Sequence, residues 1–364
     1  MAINLDITNS YYMMGLWQGL TPAPTFFKDR YFETTAADIY KADKVLVEYR
    51  DGDRQMAPFM VDRAEPIAVA RNGYEITEYS PVKLGNKAPL TIDDLKIRGF
   101  GEAILPNATW AERANRLISD DLNILERRFQ RAEEWLCAQT MINNGFTVTE
   151  MIDADTAGGT AEVKFYNPAK GNDGLYTISV GGQWTVNTDF RAIVADVRAM
   201  CRQLSQRGLP ATDLVIGQDV ADVLLANKDF QALVNLQSGI NIAGGVRETL
   251  SAYDGVTFIG TVNFGGHNLN VISVDEQYTN AAGTTANYFP AKSVLVSAPR
   301  AGHLMYAQIT VMHEDGEFDT IAAPRVPSVF IDRRHKTREL WLESRPFAAP
   351  KNYSPWVYAA NVVA

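Results

Sequence analysis

An acidic cluster near the end of the sequence has side chains that could bind a metal ion or transfer a proton. The segment HEDGEFD contains one histidine and four carboxylates, namely His313, Glu314, Asp315, Glu317 and Asp319. Both kinds of chemistry require these side chains to converge on one point. In a turn between strands, such residues more often point separately into water. We therefore interpret the cluster as a solvated turn, with a metal or acid–base site as the alternative.

Two pairs of neighbouring carboxylates could in principle provide an acid and a base. Asp120–Asp121 and Glu133–Glu134 lie in a helical pattern, where adjacent residues point to different faces. The glycine-rich segments GTVNFGGH and NIAGGVRE lack the spacing of a phosphate-binding loop. The four histidines have no ligand spacing, and two cysteines are too few for a disulfide framework or a zinc cluster. The sequence predicts no catalytic residue, cofactor or metal site, and a protein that is not an enzyme.

A basic cluster, IDRRHKTREL, could contact phosphate groups through Arg333 and Arg334. Acidic residues at both of its ends favour a solvated strand, or one that forms ion pairs between subunits. The net charge of the whole chain is -9, which argues against a surface that coats nucleic acid.

The composition is typical of a folded protein, with 46% hydrophobic and 21% charged residues among 364. The sequence begins without the basic and apolar segments of a secretory signal. It also has no run of the roughly 20 apolar residues that a bilayer-spanning helix needs. We therefore expect the protein to be made in the cytosol and to remain there at first.

A long helical pattern at residues 110–145 must position much of the chain. Thr109 and Glu112 form a capping box before it, and Gly145 is expected to end it. Such a helix is about 50 Å long. A coiled coil is the alternative, but it would need more heptads and a cleaner seam. The apolar residues recur at steps of three and four: Ala114, Ile118, Leu122, Leu125, Phe129, Ala132 and Leu136.

The segments before this helix do not resemble a domain core. Residues 1–44 form an arm whose aromatic residues must dock on another surface: Phe26, Phe27, Tyr31 and Phe32. Residues 45–106 have strand character, with an Asp51–Gly52 hairpin turn and several prolines, including Pro81, that interrupt the strands. We predict a long two-stranded extension that packs against another surface.

The segments after the helix differ in pattern. Residues 188–298 alternate helices and strands, which predicts a compact α/β module. Its first helix is expected between Asp189 and Gly208, before the buried strand DLVIG. Short strands are expected in 145–187 and again in 299–364. The predicted fold class is α+β.

Three segments resemble those of a known family. They are TFFKDRYFETTAADIY at 25–40, RNGYEITEYSPVKLGNKAPL at 71–90 and SRPFAAPKNYSPWVYAANVVA at 344–364. In these segments, and in the order of its elements, the chain resembles the major capsid proteins of tailed bacteriophages, and most of all the lambda-type major capsid protein E family. The resemblance implies the HK97-type capsid fold, with a long spine helix, an extended β E-loop and an α/β axial domain.

The resemblance also assigns parts to the chain. It implies an N-terminal arm (1–44), an E-loop (45–106), a peripheral domain (107–187, with the spine helix at 109–144), an axial domain (188–298) and a return to the peripheral domain with C-terminal strands (299–364).

The implied function is that of a major head protein. Copies of the chain would form pentamers and hexamers of an icosahedral shell that encloses double-stranded DNA without sequence-specific binding. A separate scaffolding protein and a portal protein would be partners, with a decoration protein left open and no role for a membrane. The protein would be found in the virion, and in the host cytoplasm during assembly. Contacts between subunits are expected at Phe26, Phe27, Tyr31, Phe32, Pro81, Lys83, Lys87, Arg333 and Arg334.

Two other functions remain open at this point. One is an encapsulin-like nanocompartment shell, and the other is an oligomeric α/β enzyme with a site in 188–298. Some HK97-type shells carry a covalent lysine–asparagine cross-link, for which Lys83, Lys87 and Asn352 have the residue types. We expect no cross-link in this branch of the fold.

Overall fold

The computed structural model describes residues 25–50, 74–91, 93–94, 110–152, 156–166, 174–178, 182–231, 248–249, 253, 255–280, 283–312, 316–332, 334 and 337–363. The α-helices in these ranges are α1 (Phe26–Tyr31), α2 (Trp110–Asn143), α3 (Phe190–Gln206) and α4 (Gln218–Ala226). The strands are β1 (Phe32–Glu33), β2 (Ile39–Tyr40), β3 (Val45–Arg50), β4 (Tyr74–Tyr79), β5 (Leu84–Leu90), β6 (Gly145–Met151), β7 (Ala157–Lys164), β8 (Asp213–Gly217), β9 (Glu248–Thr249), β10 (Val256–Phe264), β11 (His267–Val274), β12 (Gln277–Thr279), β13 (Thr285–Asn287), β14 (Val294–Ser297), β15 (Gly302–Ala307), β16 (Ile309–Met312), β17 (Phe318–Ile321), β18 (Val326–Asp332), β19 (Thr337–Ser344), β20 (Pro346–Pro350) and β21 (Val357–Ala359).

Helix α2 confirms the long helix that the sequence predicts. It contains 34 residues, which corresponds to about 51 Å. Its predicted capping box lies outside the described residues and side chains. Its end differs from the prediction by one residue, because Asn144 has a φ of 46° and takes the left-handed position expected for Gly145. Asparagine is the residue that tolerates this conformation best after glycine.

Gly145 has a different role, as the first residue of β6. A Cβ atom at this position would lie 2.2 Å from the carbonyl oxygen of Val163 in the paired strand β7. Glycine is therefore required for the close approach of the two strands, rather than for the end of the helix.

The α/β module is built around a six-stranded sheet in the order β21-β14-β8-β11-β10-β9. Strand β8 is central and buried on both faces, as the run DLVIG predicts. Leu214 and Ile216 pack in one core with α3 and α4, whereas Val215 packs in a second core with the arm and the end of α2. The sheet thus separates two cores.

The last two strands, β20 and β21, lie in two different sheets. Strand β20 pairs with β15, which also pairs with β1 and β2 of the arm. Strand β21 instead pairs with β14 at the edge of the six-stranded sheet. Both strands are short and apolar, so their patterns do not distinguish the two sheets. The predicted domain boundaries stay predictions.

Helix α2 packs against different structures along its length. Its first half contacts a three-stranded sheet in the order β18-β19-β5, through a small core made by Ile118, Leu122, Leu125, Phe129, Leu90, Val329, Leu340 and Leu342. Its last turns enter the larger core that contains the aromatic residues of the arm. One helix therefore joins two cores.

Four two-stranded hairpins complete the described fold: β3–β4, β6–β7, β12–β13 and β16–β17. Strand β3 pairs with β4 over six residues, from Val45 opposite Tyr79 to Arg50 opposite Tyr74. The predicted Asp51–Gly52 turn lies outside the described residues. Within the described part of the chain, no helix is long and apolar enough to cross a membrane.

Candidate functional site

A junction of buried charged residues lies on α2. Glu126 and Glu133 lie seven residues apart on the same face of the helix, and both are buried. Between them lies the guanidinium group of Arg325, which is 1% exposed and precedes β18. Its Nε and Nη2 atoms donate to the two carboxylate oxygens of Glu126 at 2.8 and 3.2 Å. Its Nη1 atom donates to Glu133 at 2.5 Å.

Glu133 also connects the junction to the arm. It accepts a hydrogen bond from Lys28 Nζ of α1 at 2.7 Å and one from the hydroxyl of Tyr306 in β15 at 2.9 Å. Burial raises the pKa of Glu133, but the charges of Arg325 and Lys28 outweigh this effect and lower the pKa to about 2. The carboxylate therefore stays ionised and holds three separate segments of the chain.

The side chain of Glu134 binds the backbone of the arm. Its two carboxylate oxygens accept hydrogen bonds from the backbone N–H groups of Phe27 and Lys28 at 2.6 and 2.9 Å. These donors belong to the first turn of α1, where N–H groups have no partner within a helix. Burial raises the pKa of Glu134 to about 8, although the two N–H donors lower it.

A second contact fixes the other end of α1 to the six-stranded sheet. Arg30 donates through Nε and Nη2 to the carboxylate of Asp213 at 2.6 and 3.0 Å. The hydroxyl of Tyr31 and the side-chain amide of Asn270 also donate to Asp213, at 3.2 and 3.0 Å. Asp213 begins β8, so the arm is connected to α2 and to the sheet at the same time.

The geometry of the junction is that of an anchor. Each of its carboxylates is held by cations or N–H donors of the same chain, which leaves little capacity to bind or transform a substrate. Among the described residues, no group of three histidine, cysteine or acidic residues is placed to hold a metal ion. The arrangement connects segments that are far apart in sequence.

Comparison with known proteins identifies what this fold is used for. A model of the family described as phage major capsid protein E matches residues 10–361. The chain belongs to the phage major capsid protein E family. Its function is that of a major capsid protein, which forms the icosahedral head shell of the virion with copies of itself and has a structural role.

Two solved structures share the fold of the chain. The chain is similar to a protein described as a prophage capsid protein, from E. coli CFT073, with a TM-score of 0.64 and 15% identity, over 98% of this chain and 99% of that one. It is also similar to a phage-related protein from Bordetella bronchiseptica RB50, with a TM-score of 0.51 and 12% identity, over 96% and 95% of the two chains. No curated protein matches the sequence. The predicted family, HK97-type α+β fold and location in the virion are confirmed.

The aromatic residues of the arm lie inside the capsid protein's own core. Phe26, Phe27 and Tyr31 are 0% exposed and Phe32 is 4% exposed. The sequence correctly indicates that they dock, and within the subunit they pack in its own core. Their expected part in contacts between subunits stays a prediction.

The other residues expected at subunit contacts lie on or near the three-stranded sheet. Lys83 and Lys87 are exposed and pair with Glu343 and Glu339 of β19 at 2.5 and 3.1 Å. Pro81 is buried, and Arg334 is exposed at the β18–β19 turn.

Two predicted features fall partly outside the described residues. Arg333 is not described, and neither are His313, Glu314 and Asp315 of the acidic cluster. Glu317 is exposed just before β17, and Asp319 within β17 is partly buried. The described part of the cluster therefore lies on a hairpin.

The sequence analysis does not predict the junction on α2. The helical pattern excludes Glu133 and Glu134 as a catalytic pair, but both are buried and have different partners. One signal was present, because Glu126, Gln130 and Glu133 recur at steps of four and three beside the apolar stripe. Polar residues at such spacing on the most apolar part of a helix indicate buried, partnered side chains.

Proposed function

We propose that this capsid protein builds its shell from pentamers and hexamers, and that the shell encloses double-stranded DNA without sequence-specific contacts. Assembly would use a separate scaffolding protein and a portal protein. The proposed parts are the arm (1–44), the E-loop (45–106), the spine helix α2 and the axial domain (188–298).

This proposal is based on the contacts that α2 makes with two separate hydrophobic cores. The helix contacts the three-stranded sheet near Ile118 and the larger core near Ile142, which are about 36 Å apart along its axis. A helix that makes apolar contacts over this length braces the subunit laterally, as the wall of a container requires.

The charge of the chain supports the proposal about DNA. A net charge of -9 opposes extensive phosphate contacts. A wall that does not bind DNA tightly allows the DNA to be packed and released.

We propose Lys83, Lys87 and Arg334 as residues near contacts between subunits. All three are exposed, and they lie on the β5–β19 edge and the β18–β19 turn. The ion pairs of the two lysines with β19 keep this part of the sheet in place. Arg334→Ala is expected to slow assembly, whereas Arg202→Ala, at an exposed arginine of α3, serves as the matched control.

The main experiment is assembly of the purified protein, alone and with its scaffolding candidate. Light scattering and negative-stain electron microscopy would follow the products. Closed shells tens of nanometres across with pentameric and hexameric units would support the proposal. Small discrete oligomers under both conditions would overturn it.

A further inference from the structure

The β16–β17 hairpin carries an apolar surface that its own chain does not cover. Met312 and Phe318 are directly paired across the hairpin, so their side chains share one face. They are 48% and 76% exposed. The opposite face is satisfied, because Ile309, Val311 and Ile321 form a small core with Ala323 and Val326. The exposed pair thus forms an apolar knob, preceded in sequence by the exposed Glu317. Asp319 is paired with Val311 and lies on the opposite face.

A groove of about 600 Å³ lies elsewhere on the same chain, between α2, β6 and the segment that leads into β5. Apolar side chains of three elements contribute to it, among them Leu84, Val148 and Met151. Met151 is 53% exposed. A groove of this kind can accept an aromatic ring and a thioether, which are adaptable apolar groups.

The border of the groove carries positive charge. Arg128 lines it, and Arg127 and Arg131 follow on the exposed surface of α2. Among the residues that the structure describes, none of these three arginines forms an ion pair. In the same groove, Lys83 pairs with Glu343 and Glu150 is acidic. In a protein with a net charge of -9, the arginines form a local basic stripe.

We propose that the β16–β17 knob of one subunit docks in this groove of a second copy of the chain. Phe318 and Met312 would fill the apolar part, and Glu317 would face the arginine stripe. Knob and groove are different surfaces, so the contact is head-to-tail, and one copy can engage a neighbour on each side. The inference rests on the proposed assembly of the chain into a shell.

A nucleic acid is the competing occupant of the arginine stripe. Phosphate groups would satisfy the arginines, but they would leave the apolar groove and the exposed knob in water. A second copy would cover the apolar groove and the exposed knob and would also place a carboxylate near the arginine stripe.

The test is cysteine cross-linking in assembled particles. The chain's own Cys137 and Cys201 are buried and free. The doubly substituted protein, Phe318→Cys with Met151→Cys, is treated with a flexible bis-maleimide after assembly and after dilution to unassembled subunits. We expect ladders of linked subunits from particles only. Phe318→Cys with Val186→Cys, at a residue 47% exposed before α3, is the matched control and should give no ladder.

A charge exchange tests the polar part of the contact. Arg128→Glu should lower the ladder yield about threefold, and adding Glu317→Arg should restore it. Particles that form without a ladder above the control level would overturn the inference and leave the proposed shell intact. Failure of the wild-type chain to form particles would instead count against the proposed function. Loss of DNA retention in the Arg128→Glu particles, with an unchanged ladder, would assign the stripe to nucleic acid and also overturn the inference.

Discussion

Replacement of Arg325 by methionine should destabilise the subunit strongly. Methionine has a similar length, so the substitution removes the charge and its hydrogen bonds while filling much of the volume. Glu126 would lose both of its charged donors and keep only the side-chain amide of Gln130, at 3.1 Å. Glu133 would keep Lys28 and Tyr306. The main cost therefore falls on Glu126, a buried carboxylate left without a cation.

The expected magnitude follows from the burial of the three groups. Removing one partner of a buried ion pair costs about 3–5 kcal/mol, and we expect about 4 kcal/mol here. Natural proteins are stable by about 5–15 kcal/mol, so this is a large share of the total. For a chain of 364 residues, the loss corresponds to a Tm about 5 °C lower.

Urea unfolding of the unassembled subunit, followed by tryptophan fluorescence, would measure this change. Arg334→Met is the matched control, because Arg334 is exposed, and it should change the stability by less than about 0.5 kcal/mol. Arg325→Lys should give an intermediate loss, since lysine keeps the charge but not the two-pronged contact. A loss below about 1 kcal/mol in Arg325→Met would refute the reasoning, because it would mean that apolar packing replaces the ion pairs without cost.

Three further predictions concern other parts of the fold. Gly145→Ala should lower the free energy of unfolding by about 1–3 kcal/mol in urea, because the new Cβ would overlap a backbone oxygen. Gly159→Ala in the same hairpin, where the Cβ would have nothing within 4 Å, should lower it little. Equal losses would contradict the steric argument. The pKa of Glu133 is about 2 in the folded state, against an ordinary value of 4.5. Its contribution to stability is therefore present above pH 4.5 and is lost as the pH falls to about 2. The stability difference between wild type and Glu133→Gln should shrink over this window in acid unfolding series, and a difference independent of pH would be inconsistent with the assignment. Asp213→Ala should free Arg30 and make the arm more sensitive to trypsin, and unchanged cleavage would show that other contacts hold the arm.

The sequence predicts best those elements whose pattern is local. Helix α2 is predicted because its apolar residues repeat with a fixed period, and the buried strand DLVIG because its apolar residues form a continuous run. The end of α2 was misplaced by one residue, because Asn144 and Gly145 can both take a left-handed conformation.

The junction could not be predicted in the same way. Arg325 and Glu126 are 199 residues apart in sequence, and a single sequence contains no signal that joins them. The same limit applies to the arm. Its aromatic residues show that they must be buried, but the sequence does not show which residues bury them. This limit also explains why the sequence does not show which sheet β21 joins, because pairing partners are fixed by tertiary structure.

The placement of the junction on α2 makes the helix a lever. Its last turns are fixed by the arm and the larger core, while its first turns carry the three-stranded sheet at the other end. A rotation of about 5° at the fixed end moves the far end of a 50 Å rod by about 4 Å. A small change at the arm end would therefore be amplified into a shift of several ångströms at the three-stranded sheet.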